Sequence, residues 1–349
     1  PIRVALLAPL GAAESRTQAV AADLEAAARL AASEARGPGI DLRVYDSAGS
    51  APQAAAAARR AVAEGAAILV GPLYSATTEA VAPVAAQAGV PVLSFSSDSA
   101  AGGAGVWVLG DLPENELDRI LGYAAANGAG AISVVYPENE YGRLVVDASR
   151  RRAARHGAVI VHELPYQRSF QGVQAAAAEG APRLRASGAT GALLAEGGPA
   201  LRAVGSFMAY HDVTQPGVRY LGLGLWAAAD TLQEAPLRGG WFAASDPAAD
   251  DAFAARFESA VGRAPQGVAS LAYDALRAVD RMAADARAAG SDRPFSAAAI
   301  TDPQGFAGAR GRFRLTQDGG NRRPLAILEV GNGEFLVRDP APAAPPGGA

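Results

Sequence analysis

The sequence predicts an α/β protein made of two doubly wound lobes, each with a parallel sheet. Three observations support this fold class. Strand-like and helix-like segments alternate with a period of about 25 to 35 residues, as in βαβ construction. The strand-like segments are almost continuously apolar, which indicates sheets covered on both faces. One supersecondary pattern also occurs twice, and 349 residues are enough for two domains.

The predicted strands are short apolar runs bounded by turn residues. They lie at residues 3–8, 41–45, 67–70, 90–95, 132–136, 159–163, 192–195 and 219–223. Amphipathic helices fit between them, at residues 17–35, 51–64, 116–126 and 143–156. The alternation then ends, because two successive helices at 250–262 and 267–289 precede a β-rich segment at 311–337. Within that segment "DGGN" predicts a hairpin.

The repeated pattern covers residues 59–96 and 182–224. Each segment reads as a helix, a Gly-Ala turn, a strand, a Gly-bearing turn, a second helix and another strand. Alanine-rich βαβα chains also look self-similar by composition alone, so two lobes are one of two explanations. With two lobes, the first boundary lies near "LGDLPENE". We expect lobe one at residues 1–112 and 243–304, lobe two at 113–242 and 305–340, and a low-complexity tail at 341–349.

The composition excludes several classes of function. The chain has no lysine and no cysteine, so all 31 cationic residues are arginine. Schiff-base catalysis, a P-loop lysine, thiolate catalysis and zinc–thiolate sites are therefore excluded. A net charge of −4 argues against nucleic-acid binding. No apolar run is long enough for a membrane span. The chain starts inside the strand-like run "PIRVALLAP", so we expect that a signal peptide or lipid anchor was trimmed.

No convincing catalytic set is present. The histidines, His156, His162 and His211, lie apart from one another and have no carboxylate at metal-ligand spacing, so we expect surface histidines. The segment "GLGLWA" is a degenerate dinucleotide fingerprint, with Trp226 where the backbone should approach a pyrophosphate. No G-x-S-x-G turn occurs. The sequence therefore predicts a protein that is not an enzyme and needs no cofactor or metal.

Polar and aromatic residues follow the predicted strands, where ligands of open parallel sheets bind. The candidate ligand-binding residues are Tyr74, Ser75, Ser96, Ser97 and Asp98 in lobe one, and Tyr141, Glu196 and Trp226 in lobe two. Two structural alternatives stay open. Ser75 would suit the N-cap of its helix, and Trp226 would suit packing in a hinge.

The sequence resembles the type I periplasmic binding proteins, in particular the leucine/isoleucine/valine receptor group. The similarity spans about residues 2–337 and rests on "VALLAPLG", "VGPLYSATTEAVAPVAAQAGVPVLSFSSDS", "VVYPENEYGR" and "VASLAYDALRAVDRM". The segments "LRGGWFAASDP" and "GFAGARGRFRL" resemble a bacterial branch of penicillin-binding-protein activators. The resemblance implies two lobes joined by a three-crossing hinge that close on a ligand in the cleft between them.

The resemblance also implies roles for the candidate residues. Ser75 and residues 96–98 would hold a ligand carboxylate, and Tyr141 would cover the ligand from the other lobe. Asp98 departs from the threonine of the amino-acid binders, and its charge would repel a ligand carboxylate by about 1 to 4 kcal/mol. Together with Glu196, Asp98 predicts a ligand with a cationic or hydrogen-bond-donating group. Hydroxyls and Tyr74 suit a neutral or amphoteric polar solute rather than a phosphate.

The sequence therefore predicts an extracytoplasmic solute-binding protein, located in the periplasm, that serves an ABC-type uptake system. Its ligand would be small, polar and amino-acid-like or related, and its protein partner an ABC permease. The alternative is a regulator of the same fold, similar to the penicillin-binding-protein activators, whose partner is a cell-wall synthase. Neither function involves nucleic acid.

Overall fold

The computed structural model describes residues 1–344, so part of the predicted tail at 341–349 lies outside the described residues. The described chain divides into two compact units. Unit 1 contains Pro1–Leu112 and Pro247–Pro324, and unit 2 contains Pro113–Asp246 and Leu325–Pro342. Each unit has its own mostly parallel sheet with helices on both faces, which confirms the predicted α/β fold class.

The strands are β1 Ile2–Ala8, β2 Ile40–Asp46, β3 Ile68–Val70, β4 Val92–Ser94, β5 Val106–Val108, β6 Ala131–Pro137, β7 Val159–Tyr166, β8 Gly191–Leu194, β9 Arg219–Gly222, β10 Trp241–Ala244, β11 Phe306–Gly308, β12 Gly311–Leu315, β13 Asn321–Arg322, β14 Ala326–Val330 and β15 Phe335–Asp339. The α-helices are α1 Ser15–Ser33, α2 Ala51–Ala63, α3 Ser75–Ala88, α4 Pro113–Ala126, α5 Glu140–Arg152, α6 Phe170–Ala186, α7 Gly198–Tyr210, α8 Pro247–Val261, α9 Ala269–Ala288 and α10 Ala297–Ile300. Among residues 1–344, no helix combines the length and apolarity that crossing a membrane requires.

The main sheet of unit 1 has the order β2-β1-β3-β4-β5, and all its strand pairs are parallel. Alternate residues of β1 enter opposite cores because successive strand side chains point to opposite faces. Val4 and Leu6 pack in the core that contains residues of α1 and α9. Ala5 and Leu7 pack in the core that contains residues of α2 and α3. A strand buried on both faces must be apolar at every position, which explains the continuous run "VALLA".

The sheet of unit 2 has the order β15-β14-β10-β9-β8-β6-β7. The strands from β10 to β7 pair in parallel, whereas β14 and β15 join the other edge antiparallel. Ile132 and Val134 of β6 pack in the core shared with α4 and α5. Val135 packs in the opposite core, shared with α6 and α7. Unit 2 therefore also covers both faces of its sheet.

The repeated sequence pattern corresponds to one arrangement in both units. In unit 1, β3 and β4 are parallel neighbours with Leu69 opposite Val92, and α3 connects them. In unit 2, β8 and β9 are parallel neighbours with Leu193 opposite Leu221, and α7 connects them. The sequence analysis missed β5 and β10, which have three and four residues.

Residues 305–324 lie in unit 1, not in lobe two where the sequence analysis placed them. They form a small antiparallel sheet, β11-β12-β13, whose Phe313 is buried in the core shared with α9. The "DGGN" hairpin is confirmed, since Leu315 pairs with Asn321. Asp274 of α9 accepts the N–H of Ala309 at 2.6 Å and pairs with Arg323 at 2.7 Å. These buried polar contacts attach the segment to α9.

Candidate functional site

Each unit has one point where the helices that follow two adjacent strands diverge. In unit 1, α1 follows β1 and α3 follows the neighbouring β3, and the two helices pack in opposite cores. In unit 2, α5 follows β6 and α7 follows the neighbouring β8, again on opposite faces. Such switch points open a crevice at the carboxyl ends of the strands, which is where open α/β sheets bind ligands.

The α3 start in unit 1 presents an uncommitted hydroxyl. Tyr74 is the N-cap residue, and its N–H donates to Thr77 Oγ1 at 3.2 Å. Thr78 Oγ1 donates to the Tyr74 carbonyl at 2.9 Å. Ser75 is the first helical residue, and its side chain makes no hydrogen bond within residues 1–344. Ser75 is therefore not the N-cap residue, contrary to that alternative.

The turn before α3 requires a glycine. Gly71 follows β3 with φ +89°, and a Cβ atom there would lie 2.3 Å from the carbonyl oxygen of Leu7 in β1. Only glycine allows this approach and this conformation. Further along, Tyr74 is 41% exposed, and its hydroxyl lies 3.3 Å from Thr17 Oγ1 of α1. This contact connects the two sides of the unit 1 switch point.

Polar side chains after β4 build a tight turn. Ser94 Oγ lies 2.7 Å from Thr78 Oγ1 and accepts the N–H of Ser96 at 3.0 Å. The buried Ser96 Oγ accepts the N–H of Asp98 at 3.1 Å. Ser96 thus has a structural role in this turn, whereas the neighbouring Ser97 is exposed.

Asp98 has a structural role as well. It is the N-cap of a one-turn 3₁₀ helix, and its Oδ1 accepts the N–H of Ala100 at 2.9 Å. Ser75 at the start of α3 follows β3, and Ser97 and Asp98 follow the adjacent strand β4.

Tyr141 lies at the switch point of unit 2, in the first turn of α5. It is half-buried, and no hydrogen bond of its hydroxyl is present within residues 1–344. Burial raises the pKa of Tyr141 well above its usual range, and the charges of Glu116 and then Glu196 raise it further. Tyr141 is therefore a neutral hydroxyl in physiological conditions and offers both a donor and an acceptor.

Glu196 is not an uncompensated acid. Its side chain is 5% exposed, and its Oε2 accepts from Tyr166 Oη and from Arg168 Nε, both at 3.0 Å. Its Oε1 accepts from Arg168 Nη2 at 3.2 Å and from the N–H of Gly197 at 3.1 Å. The hydrogen bonds to Glu196, and then its charge, raise the pKa of Arg168 above its usual range. The prediction that Glu196 selects a cationic ligand group therefore has no support in these contacts.

The sequence analysis missed Arg168 because it ended the preceding strand at residue 163. In the structure β7 continues to Tyr166, so Arg168 lies two residues after the carboxyl end of a strand. The unexpected part of β7 reads "LPY", and a proline in a short run argues against a strand except at a sheet edge. Since β7 is an edge strand, this exception applies.

The predicted role of Trp226 in covering a ligand is wrong. Its side chain is fully buried, and its Nε1 donates to the Leu194 carbonyl at 3.3 Å. The indole occupies the space beside Gly222 and Gly240, where added Cβ atoms would lie 2.2 and 2.8 Å from the ring. Phe242 lies next to it, with ring centroids 6.0 Å apart. Trp226 is a core residue of unit 2, because the ring fills a volume that the two glycines leave empty.

No group of three or more His, Asp or Glu that could hold a metal ion is present in residues 1–344. His156 Nε2 pairs with Asp118 at 2.8 Å, and His162 Nδ1 lies 2.9 Å from Ser133 Oγ. Burial lowers the pKa of His162. His156 and His162 thus take part in pairing within unit 2.

Several solved structures share the fold of this chain at low sequence identity. A candidate branched-chain amino acid ABC transporter from Rhodospirillum rubrum is 17% identical with a TM-score of 0.82, and the match covers 96% of this chain and 99% of that chain. A leucine binding protein from Thermotoga maritima is 18% identical with a TM-score of 0.67, covering 97% and 98%. A solute binding protein of an ABC transporter from Rhodopseudomonas palustris, in complex with 3,4-dihydroxybenzoic acid, is 18% identical with a TM-score of 0.69, covering 97% and 96%.

These similarities show the fold. No curated protein sequence matches the chain significantly. The family profile described as periplasmic binding protein matches residues 1–334, which is nearly the whole sequence. The two switch points described above are consistent with that match. The chain therefore belongs to the periplasmic binding protein family.

Proposed function

We propose that this protein is the extracytoplasmic solute-binding component of an ABC-type uptake system and binds a small polar, amino-acid-like or related ligand. The observation that carries this proposal is the state of three side chains at the switch points. Ser75, Ser97 and Tyr141 follow β3, β4 and β6. None of their hydroxyls has a hydrogen-bond partner within residues 1–344. These hydroxyls are therefore available for hydrogen bonds to a solute.

The unit 1 residues suit a polar acceptor group of a ligand. The first backbone N–H groups of a helix have no intrahelical acceptor, and the helix dipole favours negative charge there. Ser75 adds a hydroxyl donor at the first position of α3, and the exposed Ser97 adds another from the next loop. A carboxylate, carbonyl or hydroxyl oxygen would satisfy these donors.

Tyr141 of unit 2 suits contact with both apolar and polar parts of a small solute. Tyr141 provides ring area at low entropic cost and a neutral hydroxyl. The named solutes of fold relatives, leucine and 3,4-dihydroxybenzoic acid, are of the proposed size. They support the class of ligand and leave its identity to experiment.

A thermal-shift panel of amino acids, aromatic acids, amides and sugars, followed by calorimetry, tests this proposal. We expect a hit in the panel. Ser97→Ala and Tyr141→Phe should weaken the hit at least about tenfold, or 1.4 kcal/mol. The matched control is Ser259→Ala, which removes an exposed hydroxyl from α8. Unchanged affinity in both site variants would refute the site, and no hit at all would favour the regulator that binds a cell-wall synthase.

A further inference from the structure

A charged bridge, the ion pair of Arg168 with Glu196, spans the switch point of unit 2. The local strand order is β8-β6-β7, so β6 lies between the other two strands. Arg168 follows β7, whereas Glu196 follows β8, yet their side chains meet at 3.0 Å. The pair must therefore pass over the carboxyl end of β6. Tyr141 lies in the first turn of α5, the helix that follows this strand. This is the position at which doubly wound sheets bind ligands.

The bridge leaves one edge of the guanidinium open. Glu196 takes the edge formed by Nε and Nη2, through hydrogen bonds of 3.0 and 3.2 Å. A guanidinium carries five N–H groups, so both N–H groups of Nη1 and one of Nη2 remain. Arg168 has no other hydrogen-bond partner within residues 1–344, and its side chain is 55% exposed. The remaining edge therefore faces solvent.

The guanidinium is also held in place. Tyr166 Oη and the N–H of Gly197 fix the Glu196 carboxylate, which is 5% exposed. Ser169, the residue after Arg168, is the N-cap of α6 and accepts the N–H of Gly172 at 3.0 Å. The Glu196 carboxylate thus restrains the guanidinium, and the Ser169 N-cap restrains the adjacent backbone. An arginine restrained in this way loses little side-chain entropy when it binds a second anion. A lone surface arginine would lack this advantage.

We propose that Arg168 determines ligand specificity, by receiving a carboxylate of the solute on its open edge while Glu196 holds the opposite edge. This inference rests on the proposed function. It reverses the expectation that Glu196 would select a cationic group, because the group presented at the switch point is the arginine. Planar two-pronged pairing with a carboxylate is the geometry that a guanidinium favours. A neutral amide of the same shape lacks the charge and one acceptor.

The experiment compares acids with their amides. Calorimetry measures leucine against leucinamide and benzoate against benzamide on wild type, Arg168→Gln and Arg168→Lys. We expect wild type to prefer at least one acid over its amide about tenfold or more. Arg168→Gln should abolish that preference. Arg168→Lys should retain part of it, because lysine keeps the positive charge but cannot donate two parallel hydrogen bonds to one carboxylate. Arg183→Gln is the matched control, since Arg183 pairs with Glu179 on the exposed face of α6.

Arg168→Gln leaves a buried carboxylate without its cation, which could lower stability by itself. The double variant Arg168→Gln/Glu196→Gln removes that charge too and should restore the melting temperature, while the preference for the acid stays lost. Equal loss of acid and amide binding in these variants would show that Arg168 only supports Glu196. Wild type that binds neutral solutes but no carboxylate would overturn this inference and leave the proposed function standing. Wild type that binds no solute would overturn both.

Discussion

The buried ion pair between Arg323 and Asp274 predicts a large loss of stability in unit 1 when one partner is removed. The two side chains are 5% and 0% exposed, and Arg323 Nη1 lies 2.7 Å from Asp274 Oδ2. The nearly isosteric change Asp274→Asn keeps the shape and removes the charge. Arg323 is then a buried cation without its main counter-ion, which costs about 3 to 5 kcal/mol in comparable pairs.

The contacts that Arg323 keeps place the expected cost near the lower end of that range. Arg323 Nη2 still donates to the Leu109 carbonyl at 3.0 Å, and Asp111 lies 4.0 Å from Arg323 Nε. We therefore expect a loss of about 3 kcal/mol, which in a unit of this size lowers the melting temperature by about 6 to 12 °C. The loss should be confined to unit 1, because both residues belong to it.

Urea denaturation monitored by amide hydrogen exchange measures the free energy of unfolding of each unit separately, because each exchanging peptide is assigned to one unit. The matched control is Asp285→Asn on the same helix, because Asp285 pairs with Arg281 while both side chains are more than half exposed. Such a pair is worth at most about 1 kcal/mol. The double variant Asp274→Asn/Arg323→Gln should recover part of the lost unfolding free energy, because the buried, unpaired guanidinium has also been removed. If Asp274→Asn costs no more than the control, the reasoning about this buried pair is wrong.

Three further predictions concern single side chains. Trp226→Ala should destabilise unit 2 by about 3 to 5 kcal/mol in urea titrations, because it empties a closed core; a loss of ligand affinity at unchanged stability would contradict this. Ser75→Ala should change the free energy of unfolding by less than about 0.5 kcal/mol, because Ser75 makes no cap hydrogen bond; a loss of 1 kcal/mol or more would restore the capping role. Burial and the hydrogen bond to Glu34 raise the pKa of Tyr273 to about 12. Because the unfolded value is about 10, this stabilisation is present below pH 10 and is lost as the pH rises towards 12. Alkaline titration of stability should therefore be less steep in Tyr273→Phe, and identical profiles would refute the assignment.

Local sequence patterns were sufficient to predict most of the fold. The run "VALLA" is apolar at every position because Val4 and Leu6 enter one core and Ala5 and Leu7 the other. The loops after the strands could be identified in the same way, so Ser75, Ser97 and Tyr141 were predicted at the correct sheet edge. Periodicity and turn chemistry act over a few residues. The strands and the loops that follow them could therefore be predicted from short segments of the sequence.

Only the tertiary structure decided which of the candidate side chains are buried or paired within the protein. Trp226 is buried because Gly222 and Gly240 leave room for its ring, and Gly240 lies in a different segment of the chain. Glu196 is neutralised by Arg168, which is 28 residues earlier in the sequence. Residues 305–324 lie in unit 1 because Asp274 and Arg323 pair across 49 positions. Burial and charge pairing join residues that are distant in sequence, so no local pattern contains them.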